Sequence, residues 1–308
     1  MRKCSTSARP RLFDCFTFFD ELDVLELRLK ELDNIVDRFV LVEGTRTFSG
    51  RPKRLLFQEN KQRFRAYLGK IEHVILNDSD FPDGDVSAWD REYLSRRAML
   101  QGLKGASPDD FVLISDVDEI PRPDALVRVL ERPTAGREFT VFSSACYFYF
   151  LNLRATDRPP SLVQAPRLLQ RRYVRDPQAV RAFKAKVSKR DLGRFEPVLL
   201  GLRACARFGF PLKVVIEPAS SWHFKYFGGA HRIRAKILAF SHVEKAIPAN
   251  LDIDLISKSI ADRKYMFDAT EKLEEVPLDA SLPRALQADP LRWIHGLTTG
   301  TVMMQAAE

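Results

Sequence analysis

The chain has 308 residues, enough for one large α/β domain or two small ones, and its 45% hydrophobic and 29% charged content is ordinary for a globular protein. No apolar run reaches about 18 residues, and the basic stretch MRKCSTSARPRL at the start lacks an apolar centre, so neither a transmembrane helix nor a secretory signal is expected. The net charge of +8 favours an anionic partner, such as a nucleotide, a polyanionic acceptor or a membrane surface.

The first third of the chain alternates between strand and helix patterns. Strands are predicted for the apolar runs RLFDCFTF (11–18), RFVLVEG (38–44) and IEHVIL (71–76). Between the first two lies DELDVLELRLKELDNIVD (20–37), in which leucines recur at the three- and four-residue intervals of a helix. The chain therefore opens as strand, helix, strand, which is typical of an α/β protein.

The same alternation continues to residue 130. SAWDREYLSRRAMLQGL (87–103) and RPDALVRVL (122–130) predict helices on either side of a fourth strand, DFVLIS (110–115). Such a pattern builds a mostly parallel central sheet with helices on both faces, and ligands bind beyond the carboxyl ends of its strands. Glu43 and Asp116 both lie at such ends.

A cluster of carboxylates follows the fourth strand. In FVLISDVDEIP (111–121), an apolar run leads into Asp116, Asp118 and Glu119. Carboxylates at a buried strand end are costly unless a positive charge lies on them. Mg²⁺ and Mn²⁺ bind through one or two carboxylates plus substrate phosphates, so Asp116 and Asp118 are predicted to share a divalent ion. A short acidic turn without a metal is the alternative.

The second half of the chain differs from the first in composition and in its predicted secondary structure. EFTVFSSACYFYFLNL (138–153) is aromatic and β-rich, and residues 166–190 carry nine Lys or Arg against one Asp. This basic stretch predicts either contact with an anionic partner or a solvated helix face. We expect a flexible tail at 1–10, one domain at 11–270 and a C-terminal extension at 271–308.

The four cysteines, Cys4, Cys15, Cys146 and Cys205, are scattered and show no zinc-type spacing. Buried free thiols in a reducing compartment are the preferred interpretation. The expected location is the cytoplasm, with peripheral contact at the inner membrane face.

Four blocks in order carry a resemblance to a known family. FDCFTFFDELDVLELRLKEL, VDRFVLVEGTRTFSGRPKRLLF, LISDVDEIP and WHFKYFGG followed by KILAFSHVE resemble glycosyltransferase family 17, from about residue 11 to about residue 265. The resemblance implies a GT-A-type nucleotide-sugar-binding fold and an inverting transfer of N-acetylglucosamine from UDP-GlcNAc to a glycan acceptor. We expect that acceptor to be anionic or lipid-linked. It also implies that Asp116-Val117-Asp118 is the Asp-x-Asp motif of the family.

The resemblance assigns roles around a Mn²⁺ or Mg²⁺ ion. Asp118 would ligate the ion that bridges the donor diphosphate, and Asp116 would ligate it or face the ribose. Glu119 would support them or, as we favour, form a buried salt bridge. His223 would supply a nitrogen ligand, or else be a histidine packed between Trp222 and Phe224.

Further residues are candidates for the donor. Glu43 is placed to accept the uracil N3–H, with a capping or salt-bridge role as the alternative. Arg96 and Arg97 are placed to pair with the diphosphate, with an ordinary helix pair to Glu92 as the alternative.

An inverting transfer also needs a base, and rings that stack on sugars. Glu196, Glu217 and Glu244 are the candidate carboxylates, and Glu244 belongs to a family-like block. The candidate stacking rings are Trp89, Tyr147, Tyr149 and Trp222, with core packing as the alternative.

Two other classes remain possible from the sequence. A phosphatase of the haloacid-dehalogenase type also places Asp-x-Asp after a strand, and a nucleic-acid-binding module would explain the basic stretch. The module would leave the acidic strand end unexplained and offers few aromatics for stacking. Nucleic acid is therefore not an expected partner.

Overall fold

The computed structural model describes residues 9–82, 85–185 and 196–298. In this part of the chain the strands are β1 (Leu12–Phe18), β2 (Arg38–Gly44), β3 (Ile71–Leu76), β4 (Phe111–Asp116), β5 (Glu119–Pro121), β6 (Glu138–Phe148), β7 (Leu153–Ala155), β8 (Arg167–Gln170), β9 (Lys213–Lys225), β10 (Lys264–Tyr265) and β11 (Asp268–Glu275).

The α-helices of the described residues follow the alternation expected for an α/β protein. They are α1 (Leu22–Leu32), α2 (Leu56–Glu59), α3 (Ala88–Arg97), α4 (Met99–Gly102), α5 (Pro123–Leu130), α6 (Pro177–Arg181), α7 (Glu196–Phe208), α8 (Ala230–Ala239), α9 (Pro248–Leu251), α10 (Ile253–Ala261) and α11 (Arg284–Ala288). The strands predicted at 11–18, 38–44, 71–76 and 110–115 are therefore confirmed as β1 to β4, and the predicted helices as α1, α3 with α4, and α5.

One mixed sheet forms the centre of the molecule, in the order β10-β11-β7-β6-β8-β4-β1-β2-β3, with β9 paired to β6 and β5. The pairs β1–β2, β1–β4 and β2–β3 are parallel, as is the long β6–β9 pair. Apolar clusters cover the sheet, and the largest includes α1 and α5. The α/β prediction is confirmed, and the parallel strands bring the ends of β1, β2 and β4 to one edge.

A buried arginine braces the loop that follows β4. The Arg28 guanidinium on α1 is fully buried and donates to both Asp14 oxygens, at 2.8 and 2.5 Å. It also donates to the Ser115 hydroxyl at 2.7 Å and to the Glu119 carbonyl at 2.8 Å. Because one rigid fork holds the start and the end of the acidic turn, the turn has a defined shape.

The second half of the sheet closes over that turn. β5 pairs antiparallel with β9, which sets Glu119 opposite His223. β9 also runs parallel to β6, and Cys146 lies opposite His223 in that register. Pairing of β9 with β5 and with the aromatic, β-rich strand β6 therefore places His223 next to the carboxylate cluster.

The expected domain boundary at residue 270 falls inside β11, which pairs with β7 in the main sheet. Farther along, Leu282, Leu286, Trp293 and Leu297 are buried in the largest core cluster. Residues 271–298 are thus part of the same core, because their apolar side chains cover the α1 side of the sheet. Residues 1–8 and 299–308 lie outside the described residues.

Three cysteines fall in the described residues. Cys15 and Cys146 are buried and Cys205 is exposed, and all three are free thiols. Burial raises the pKa of both buried thiols. No helix among the described residues combines the length and the apolarity needed to cross a bilayer.

Candidate active site

A cavity of about 600 Å³ opens at the carboxyl ends of β1, β2 and β4. Many of the side chains that line it are charged or aromatic. The charged and histidine side chains that line it are Glu21, Arg46, Lys53, Glu92, Arg96, Asp116, Asp118, Arg158, Arg181, His223, Lys225, Lys236, His242 and Lys245. Its position matches the strand-end location expected for a ligand site in an α/β sheet.

Asp116 ends β4 and is held by two guanidinium groups. Arg96 donates to its Oδ1 at 3.2 Å, and Arg181 donates to its Oδ2 at 3.0 Å. Burial raises the pKa of Asp116, but Arg181 and Arg96 outweigh it, and the pKa lies well below its ordinary value. The carboxylate is therefore ionised, with one third of its side chain exposed to the cavity.

Glu119, at the start of β5, is fully buried next to Asp116. Its Oε1 accepts from Arg181 at 2.5 Å, and its Oε2 accepts from the Asp116 amide at 3.3 Å. Burial raises the pKa of Glu119 to about 7, against the opposing effect of Arg181. The buried salt-bridge interpretation of Glu119 is confirmed.

Asp118 faces a lysine on one side and a histidine on the other. Lys236 of α8 donates to Asp118 Oδ2 at 2.8 Å and reaches Glu21 Oε1 at 3.1 Å. His223 Nε2 lies 3.6 Å from Asp118 Oδ1. Burial, followed by the charges of Lys225 and Lys236, lowers the pKa of His223 well below its ordinary value, so its imidazole is neutral.

The donor atoms of Asp118 and His223 fit a divalent ion whose remaining ligands come from the substrate. The Asp118 Oδ1 atom and the neutral imidazole of His223 are adjacent, and the His223 Nδ1 atom is buried with no hydrogen-bond partner in the described part of the chain. No group of three or more His, Cys, Asp or Glu side chains that could hold a metal occurs among the described residues. The set suits Mg²⁺ or Mn²⁺, which keep waters and substrate phosphates as ligands.

Arg96 and Arg97, predicted together, lie in different environments. Arg96 lines the cavity and pairs with Glu92 at 2.5 Å as well as with Asp116. The helix pair considered for Arg96 is therefore present. Arg97 is 57% exposed, donates to Asp176 at 3.1 Å and is not among the cavity-lining residues.

Glu43 lies at the end of β2 but beneath the cavity surface. It is fully buried, and its Oε1 accepts from the Phe57 amide at 3.0 Å and from Lys53 at 3.3 Å. Its Oε2 lies 3.1 Å from His73 Nε2. The salt-bridge alternative is present, and contact with a uracil ring stays a prediction.

The predicted bases lie outside the cavity wall. Glu244 is 62% exposed, and its carboxylate lies 2.7 Å from His242 Nδ1. Glu217 pairs with Arg132, and Glu196 begins α7. Glu244 does not line the cavity, but its hydrogen-bond partner His242 does, and a catalytic role for Glu244 stays a prediction.

Of the four predicted stacking rings, only Trp89 lines the cavity. Tyr147, Tyr149 and Trp222 are buried in apolar clusters, which matches the core-packing alternative.

The basic stretch at 166–190 divides between surface and interior. Arg167 and Arg181 are buried, whereas Arg172 pairs with Asp109 on the surface. Its residues 186–190 lie outside the described part. Residues 166–185 comprise β8, a 3₁₀ turn and α6. They therefore do not form the single solvated helix face that was the alternative interpretation.

Sequence reasoning missed several cations of the cavity, namely Arg46, Lys53, Arg158, Arg181, Lys225, Lys236 and Lys245, and it missed His242. The available signal was membership in stretches already noted. Arg181 lies in the basic stretch, and the family-like blocks contain Arg46, Lys53, Lys225, Lys236 and His242. Nothing in their spacing pointed to the acidic turn.

Comparison with known sequences supports this picture over the first part of the chain. Residues 2–137 match glycosyltransferase family 17. The resemblance to this family is therefore confirmed in the segment that holds the acidic turn. Two curated relatives, the β-1,4-mannosyl-glycoprotein 4-β-N-acetylglucosaminyltransferases of Rattus norvegicus and Homo sapiens, are each 32% identical over 123 residues, or 38% of this chain. The matched segment spans 23% of the length of these relatives.

Solved structures show a more distant likeness. The inositol-1-phosphate CTP transferase of T. maritima aligns with 82% of this chain and 96% of its own, at 11% identity and a TM-score of 0.36. An active-site mutant of LgtC aligns with 69% of this chain and 86% of its own, at 12% identity and a TM-score of 0.31.

Proposed function

We propose that the protein is a metal-dependent, inverting glycosyltransferase with a GT-A-type fold, which moves N-acetylglucosamine from UDP-GlcNAc to a hydroxyl group of a glycan acceptor. The observation that carries this proposal is the position of Asp116-Val117-Asp118. The motif ends a parallel strand, lines a cavity of about 600 Å³ and lies within the segment that matches family 17. That volume is in the usual range for small-molecule sites.

The residues of the cavity suit a diphosphate. Asp118 and His223 would hold Mn²⁺ or Mg²⁺, which supplies electrostatic stabilisation of the departing diphosphate when it is bound. Lys225 is 8% exposed, lines the cavity and has no carboxylate within ion-pair distance in the described residues. A buried ammonium without a counter-ion is unfavourable, so an anionic ligand there would offset the cost.

Arg96 and Arg181 orient Asp116 and keep it ionised. An Asp116 clamped by two guanidinium groups is poorly placed to act as the nucleophile of a phosphatase, since both oxygens already accept hydrogen bonds. The geometry therefore supports the transferase over the phosphatase.

The acceptor that we propose is a glycan, anionic or lipid-linked, reached by a cytoplasmic enzyme in peripheral contact with a membrane. The net charge of +8 supports an anionic partner. Binding of the protein to vesicles with and without anionic lipid tests this part of the proposal.

A donor screen with a matched variant tests the main proposal. UDP with Mn²⁺ should raise the melting temperature, and one of the UDP-, GDP- and TDP-sugars, UDP-GlcNAc first, should be turned over. Asp118→Asn should lower turnover about 10³-fold, since a metal contact stabilises the transition state by several kcal/mol. The control is Asp124→Asn, on the exposed face of α5. Full turnover by the Asp118 variant in excess EDTA contradicts the metal assignment, and an increase in melting temperature with oligonucleotide instead of UDP contradicts the transferase.

A further inference from the structure

The carboxylates that line the cavity are all engaged with cations. Within the described residues, Glu21 and Asp118 contact Lys236, Glu92 contacts Arg96, and Asp116 contacts Arg96 and Arg181. An ion pair stabilises the ionised form of a carboxylate and so weakens it as a base. A transfer to a hydroxyl group nevertheless requires a group that takes the hydroxyl proton.

His242 is the side chain that meets this need. It lines the cavity, with 46% of its side chain exposed. Its Nδ1 atom lies 2.7 Å from Glu244 Oε1. The hydrogen bond to His242 lowers the pKa of Glu244, so the carboxylate is ionised and can only accept. Nδ1 therefore carries a proton, and in the neutral form of the imidazole Nε2 has the free lone pair.

Two aromatic rings hold this imidazole in place. Trp89 of α3 meets it edge-on, with ring centroids 4.8 Å apart, and Phe240 lies at 5.8 Å. The Ser241 hydroxyl donates to Glu92, which ties the segment before His242 to the same helix. A histidine oriented by a carboxylate at its Nδ1 is the arrangement that activates the imidazole as a base.

We propose that His242 is the general base of the transfer and that Glu244 is a positioning residue acting through it. The inference rests on the proposed function. The acceptor O–H bond breaks and its proton moves to His242 Nε2. The acceptor oxygen bonds to the anomeric carbon, the bond from that carbon to the diphosphate oxygen breaks, and UDP leaves with the electron pair. The resulting imidazolium, stabilised by Glu244, returns its proton to solvent.

This assignment changes the role predicted for Glu244. Its carboxylate does not line the cavity, but its hydrogen bond determines which nitrogen of His242 carries the proton. The exposed Trp89 ring next to His242 gives this wall the apolar surface on which an acceptor sugar can stack.

The test measures UDP release, with Mn²⁺, from the nucleotide sugar that the wild-type protein turns over. His242→Ala should lower kcat by a factor of about 10² to 10⁴, the range for loss of a general base. The Kd for UDP measured by calorimetry should change less than about twofold, since binding does not use the base. Added imidazole should restore at least about a tenth of the lost rate by occupying the vacated space.

The Glu244 variants separate positioning from simple loop support. Glu244→Gln keeps an acceptor for Nδ1 but removes the charge, so kcat should fall about tenfold while KM holds. Glu244→Asp should recover part of that loss. The control is His231→Ala, an exposed histidine of α8 that does not line the cavity. His242→Asn serves as a second variant if His242→Ala does not fold.

Each outcome decides one question. A His242 variant that binds UDP and turns over at the wild-type kcat overturns the base assignment alone. Loss of turnover without rescue by imidazole, accompanied by weaker UDP binding, assigns His242 to donor binding and also overturns it. A wild-type protein that neither binds UDP nor releases it from any sugar donor overturns the proposed function itself.

Discussion

The two halves of this sheet contribute different chemistry to one cavity. The half built from β1 to β4 supplies the carboxylates Asp116 and Asp118 at a parallel strand end. The half built from β5 onward supplies Arg181, His223 and Lys236, which contact those carboxylates. Within the described residues, the first half alone would leave Asp116 with Arg96 as its partner and Asp118 without a cation, so the site is complete only when the second half folds onto it.

The largest effect should come from removing the second half's main cation. Arg181 is buried and joins Asp116 and Glu119. Arg181→Met leaves the buried Glu119 without its cation and Asp116 with Arg96 alone, which should lower the free energy of unfolding by about 3 to 5 kcal/mol. Urea unfolding at pH 7 measures the change.

Two further variants show whether the effect comes from charge. Combining Arg181→Met with Glu119→Gln removes one orphaned charge and should regain part of the lost stability, with coupling of about 1 kcal/mol or more. Arg175→Met, in the same basic stretch but lying against the Phe210 ring, should cost less than about 1 kcal/mol. Equal losses at positions 181 and 175 would mean that the two halves are not joined through this cluster.

The same contrast explains what could be predicted from the sequence. The strand that carries Asp116 and the turn after it depend on neighbouring residues, so the apolar run and the Asp-x-Asp spacing are readable. The contacts of Asp116 with Arg181 and of Asp118 with Lys236 join residues 65 and 118 positions apart. Such pairs follow from tertiary packing, and no local period encodes them. Glu244 was noticed through its block, whereas its link to His242 required the structure.

A second, smaller effect on folding stability is expected at Asp20, a first-half residue that lies beside α8 of the second half. Burial and the neighbouring Glu21 raise the pKa of Asp20 from 3.8 to about 6, although Arg232 opposes this. In the unfolded chain the group ionises near its ordinary pKa. Between about pH 4 and 6 the unfolded state therefore loses its proton first, and folding stability falls as the pH rises through this window.

Asp20→Asn should remove that part of the pH dependence. Relative to wild type, the variant should gain on the order of 1 to 3 kcal/mol between pH 4 and 7, which is the shift converted at about 1.4 kcal/mol per pH unit. Denaturant unfolding of both proteins across this range, at one ionic strength, measures the difference. Parallel stability curves for the two proteins would show that Asp20 ionises normally in the folded state.

The smallest effect is expected at Arg97, a first-half residue whose partner, Asp176, belongs to the second half. This pair is a surface contact, and such pairs contribute about 0 to 1 kcal/mol. Because Arg97 does not line the cavity, Arg97→Gln should leave the KM for the nucleotide sugar and kcat within about twofold of wild type. Its neighbour Arg96 is the matched comparison, since Arg96→Gln frees Asp116 Oδ1 and Glu92 and should lower turnover tenfold or more. A tenfold rise in KM for the Arg97 variant would instead return Arg97 to the diphosphate role that the sequence suggested, and it would place the donor on the outer side of α3.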